Sequence, residues 1–115
     1  MRRVHYVNSH FLTGDRISKA LLRYARALAV AERSDVVEIP VLSEGGTQVY
    51  AHVLIGPASE IYSTPVPDSR EEPTDEDVIA HLERGTLRLE PARPSWDAEM
   101  ALVPDVDEVP DLTDL

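Results

Sequence analysis

Between residues 16 and 33 the apolar positions Ile17, Leu21, Tyr24, Leu28 and Ala31 recur at steps of four, three, four and three. At about 100° per residue that spacing keeps all five within one arc, so the segment predicts an amphipathic α-helix with a single buried face. Arg16, Lys19, Arg23, Arg26 and Arg33 take the opposite arc with no acid among them. Thr13 or Asp15 can accept from the free amides of its first turn, and Ser34-Asp35 ends it.

Around this helix the pattern shifts to period two. Residues 4–8 read as a first strand, with Val4 and Tyr6 on one side and His5 and Val7 on the other. Residues 36–42 form a second, in which Pro40 cannot donate to a ladder and so predicts an edge position or a bulge. Ser43-Glu44-Gly45-Gly46 is a hairpin signal, because glycine supplies the positive φ that a tight reversal needs. Residues 47–55 give the best alternation, with Val49, Ala51, Val53 and Ile55 on one face and Tyr50, His52 and Leu54 on the other. Residues 61–66 predict a further strand.

Strand, helix and strand in succession predict a βαβ unit with a right-handed crossover and parallel strands. The expected fold is therefore α+β: a small mixed sheet in β-α-β-β-β order with the long helix on one face. After a polar linker, Thr74 is a good N-cap for a short second helix over residues 75–84 that Gly85 would stop. Residues 86–90 are expected as strand or extended chain. The sheet face away from the helix would present Val7, Tyr50, Leu54, Tyr62 and Val66, which is too apolar to stay wholly exposed.

Charge divides the chain more sharply than hydropathy does. Residues 1–66 carry seven Lys/Arg against six Asp/Glu, whereas residues 67–115 carry four Arg against fifteen acids, so the net charge of −10 lies in the second part. Seven of the nine prolines fall between Pro65 and Pro110, which blocks long helices in that acidic stretch. Three parts follow: an α+β body (1–66), a linker with the short second helix docking on the body (67–90), and an acidic, Pro-rich arm, disordered or extended (91–115). A body this small buries little surface, and a homodimer through the bare sheet face or an edge strand would help it.

Within the arm, residues 103–115 repeat with a period of three. Val103, Val106, Val109, Leu112 and Leu115 form an apolar series, while Asp105, Glu108, Asp111 and Asp114 form an anionic one. Three residues per turn is the period of polyproline II, which would set each series along its own edge of an extended rod. Trp96, Met100 and Val103, spaced four and three apart, would make a one-sided anchor on binding. These seven apolar residues of the arm, Trp96 included, are the expected contacts with a protein partner, and the acids would steer the encounter.

The cationic arc of the long helix offers a different chemistry. Arg16, Lys19, Arg23 and Arg26 could hold an anion or a nucleic acid, masked by the acidic arm; for the full chain, nucleic-acid binding is not expected, because its net charge is negative. His5, Tyr50 and His52 share a nominal sheet face and define a weaker reading as a small enzyme. No third ligand accompanies the two histidines, no Gly-x-Ser-x-Gly elbow occurs, and no glycine-rich phosphate loop lies between a strand and a helix, so neither metal, cofactor nor catalysis is expected. There is no cysteine for a disulfide or a thiolate site. No stretch suits a membrane span, and His5, Asn8, Ser9 and His10 interrupt residues 4–12 as a signal-peptide core, so a cytoplasmic protein is expected. The leading expectation is a non-enzymatic interaction module.

Overall fold

The first hairpin, absent from the sequence reading, decides the topology. In the computed structural model, which describes residues 1–90, the chain runs β1 (Arg2–Tyr6), β2 (Ser9–Thr13), α1 (Asp15–Ala31), β3 (Asp35–Leu42), β4 (Gln48–Ile55), β5 (Ile61–Pro65) and α2 (Glu76–Leu89). It is an α+β protein with one five-stranded sheet in the order β4-β3-β2-β1-β5. Every pairing is antiparallel. The expected mixed sheet fails for a local reason: residues 9–13 turn back on β1, so the strand that feeds α1 is β2, and its contact with β3 is antiparallel.

The sheet has two unequal parts. Strands β2, β1 and β5 pair over their full length, and β3 pairs with β4 from Asp35↔Ile55 to Leu42↔Gln48. Between the parts stands the single pair Leu12↔Leu42. Side chains reinforce this joint. The buried Thr13 hydroxyl donates to the Pro40 carbonyl at 2.7 Å, and the Tyr6 hydroxyl donates to the Leu54 carbonyl. Pro40 lies within the β3–β4 ladder and is fully buried; β3 is an inner strand, not the expected edge, but its one pair with β2 is Leu12↔Leu42, so at Pro40 it is paired on the β4 side alone.

Both helices lie over one face. Ile17, Leu21, Tyr24 and Leu28 of α1, four of the five residues of the sequence arc, are buried, while Ala31 at the helix end is half-buried; the four form one cluster with Val4, Val37, Ile39, Val53 and Ile55 of the sheet and Ile79 and Leu82 of α2. Each such side chain contributes roughly 1.5–3 kcal/mol by leaving water. The helices run in the same direction: Arg16 meets Glu76 near their starts, and Tyr24 meets Gly85 further along.

That second meeting corrects the reading of Gly85. A Cβ on Gly85 would stand 2.6 Å from the Tyr24 ring, so glycine is there for close helix contact, and α2 continues through residues 86–89 instead of stopping. Its cap is Asp75, not Thr74: the Asp75 carboxylate accepts from the amides of Asp77 and Val78. Helix α1 starts differently, with Gly14 as N-cap and no side-chain cap; Glu72 from the linker accepts from the Asp15 amide instead. Pro73 is buried, its carbonyl 2.4 Å from where a Gly14 Cβ would sit, so the linker presses directly on the start of α1.

Candidate functional site

Alternation along β1, β2 and β5 sends Val4 inward and its neighbours outward, and the register aligns the outward residues in rows. His10, His5 and Tyr62 are direct cross-strand partners, so three rings stand side by side across β2, β1 and β5. His5 stacks on Tyr62 with centroids 4.3 Å apart and planes within 9°. Its other neighbour, His10, lies 5.9 Å away with a 49° tilt. His5 Nε2 is 3.4 Å from the Thr64 hydroxyl in the adjacent row.

The row borders an open groove of about 610 Å³, lined also by the Val7-Asn8 turn, Ser9 and the segment Ala58 to Glu60. Val7 has φ 58°. A β-branched side chain in the left-handed region is strained by about 1–3 kcal/mol, and such strain gathers at sites that use a particular backbone shape. Sequence reasoning missed this site, although the signal was present. Val4-His5-Tyr6 and Ser9-His10-Phe11 are near mirror images about Val7-Asn8, as two strands of a hairpin with paired histidines would be. Without a glycine the turn did not read as one.

Outward residues of β3 and β4 form a second bare area. Val36 and Leu54 are each at least 57% exposed, an unusual state for large apolar side chains. One end of this area is tied down. The Tyr50 hydroxyl donates to Asp75 at 2.6 Å, and Gln48 bonds the backbone of Thr74 through both its amide nitrogen and its oxygen. Donation to a carboxylate holds the Tyr50 hydroxyl above its ordinary pKa, and the same bond, with the Val78 and Asp77 amides, holds Asp75 below its own.

His5, Tyr50 and His52 are not gathered into one site. All three point outward, but β2 and β3 lie between β1 and β4, His52 faces Glu38 at 3.4 Å, and Tyr50 is engaged by Asp75. On α1, Lys19, Arg23 and Arg26 are exposed and have no ion-pair partner among the described residues, whereas Arg16 is paired with Glu76 at 2.5 Å. Trp96, Met100, Val103, Val106, Val109, Leu112 and Leu115 lie outside the described residues.

Among the described residues, no group of three or more His, Cys, Asp or Glu is placed to hold a metal ion, and no helix is long and apolar enough to cross a membrane. No protein-family model, curated protein or solved structure matches the chain.

Proposed function

We propose that the protein is a non-enzymatic interaction module in which the acidic C-terminal segment docks on a protein partner. The observation that carries this reading is the bare outward sheet face: Val36, Tyr50, Leu54 and Tyr62 stay exposed while both helices cover the opposite face. An exposed apolar area rimmed by charge fits association with protein, either a partner or a second copy of the chain in a homodimer. The triplet series of residues 103–115 adds aliphatic contact and negative charge to the same polypeptide.

Replacing Val106, Val109 and Leu112 together with serine keeps the charge and removes the apolar edge. Quantitative affinity capture with parent and variant should show specific partners lost from the variant and the folded body unchanged. An identical set of captured proteins overturns the docking role.

A second reading rests on Lys19, Arg23 and Arg26, which are exposed, aligned and unpaired among the described residues. It makes α1 an anion-binding face masked by the acidic segment. Removal of residues 91–115 would then create binding to a single-stranded oligonucleotide or to inorganic phosphate that falls steeply with salt. Absence of binding at low salt rejects it.

A further inference from the structure

We propose that His5 and His10 together form a two-imidazole site for a borderline divalent transition ion of the Zn²⁺, Ni²⁺ or Cu²⁺ class. The proposal is independent of the interaction reading and rests on the first hairpin alone. His5 and His10 are direct antiparallel partners on the outward face, an arrangement that sets Cβ atoms about 4.5–5.5 Å apart. Imidazole nitrogens bind such ions at about 2.0–2.1 Å, so two rings sharing one tetrahedral ion have centroids about 5 Å apart. The observed centroid separation is 5.9 Å. The difference is within the swing of an exposed side chain such as His10.

Neighbouring groups prepare the donor atoms. His5 stacks on Tyr62, and in the tautomer whose Nε2–H donates to the Thr64 hydroxyl, Nδ1 keeps the lone pair for an ion. The tight Val7-Asn8 turn, held at φ 58° at Val7, locks the two strands in register, so little conformational entropy is lost when both rings engage. Imidazole suits Zn²⁺, Ni²⁺ and Cu²⁺, whereas Mg²⁺ and Ca²⁺ require oxygen donors, and this sets the class of ion.

Only two protein ligands converge, since no third His, Cys, Asp or Glu joins them among the described residues. The remaining positions would be taken by water, with Asn8, Ser9 and Glu60 lining the adjacent groove. Such a site is open and exchanging, unlike a closed structural one with four protein ligands.

The test is a Zn²⁺ titration of the full chain, free of any histidine tag, read by imidazole nitrogen NMR of its four histidines. His5 and His10 should respond together and saturate at one ion per chain, with His52 and His81 following only at higher concentration. His10→Gln should weaken binding by at least about tenfold, because the second ligand no longer comes at intramolecular effective concentration. His10 is exposed, so amide spectra of this variant should stay those of the folded parent. Four histidines titrating alike, or a His10→Gln variant that binds as tightly as the parent, would overturn the proposal. So would saturation at half an ion per chain with a doubled particle mass, which would place the ion between two chains.

Discussion

The two hairpins of this sheet are built on opposite terms. In β3–β4 the reversal is made by residues suited to it: Gly46 takes φ 85°, Ser43 accepts from the Thr47 amide and donates its own amide to the Thr47 carbonyl, and the ladder that follows is long. In β1–β2 the reversal is made by Val7 and Asn8, with valine in a conformation that its side chain resists. The outward faces differ in the same sense. Tyr50 and Gln48 tie the long hairpin to the start of α2, while His5, His10 and Tyr62 of the other part face an open groove. Strain and exposure thus coincide in one hairpin, and turn chemistry and tethering in the other. Under the two-imidazole proposal, the long ladder supplies stability and the short hairpin supplies the ligands.

The joint between the two parts should be the most sensitive point. Thr13→Val keeps the shape and leaves the buried Pro40 carbonyl without its hydroxyl donor, which should cost about 1–3 kcal/mol in urea unfolding. A change below about 0.5 kcal/mol would mean that the single pair Leu12↔Leu42 and the shared core hold the parts together unaided.

Next in size, Gly46→Ala should destabilise by about 1–2 kcal/mol. Space is not the obstacle there, since an added Cβ meets nothing closer than the Arg70 guanidinium at 4.0 Å; the backbone angle is. Val7→Asn should act in the opposite direction. Val7 is 75% exposed, so little burial is lost, and asparagine tolerates the left-handed region, for a gain of about 1 kcal/mol. Both are read by the shift of the denaturation midpoint at constant slope. If Val7→Asn proves neutral, the contrast in turn strain between the hairpins is absent.

The same contrast explains what could be read from the sequence. The buried arc of α1 was legible because Ile17, Leu21, Tyr24 and Leu28 leave one face and basic residues fill the other. The second hairpin was legible because Gly45-Gly46 names a turn between two alternating runs. The β1–β2 hairpin was not: its turn lacks glycine and runs against local preference, so tertiary pairing with β5 has to override it. That one omission produced the expected parallel βαβ unit, and it hid His10 as the partner of His5. Gly85 misled in the other direction, because a glycine that stops a helix and one that lets two helices touch look alike in one dimension. Of the candidate site, His5 and the exposed apolar residues Tyr50, Leu54 and Tyr62 were legible from alternation alone.

The tether that distinguishes the long hairpin gives the finest test, because its strength is written in a titration. The Asp75 carboxyl titrates below the ordinary carboxylate range first because Tyr50 donates to it, and then because the Val78 and Asp77 amides do. A depressed pKa means that the carboxylate favours the folded state at any pH above the unfolded value of about 3.9, and that this contribution fades as pH falls through the lower folded value. Tyr50→Phe should therefore move the Asp75 carboxyl midpoint upward in a carbon NMR titration while leaving the cap bonds in place. In Asp75→Asn the cap survives without its charge, since asparagine caps about as well as aspartate. Its stability should trail the parent near neutral pH, begin to converge with it below about pH 4, and meet it only once the pH is under the depressed folded value and the parent's carboxylate is protonated. Parallel stability curves, or an Asp75 midpoint indifferent to Tyr50→Phe, would show that the helix amides alone hold the charge and that β4 is as free at its outer face as β1.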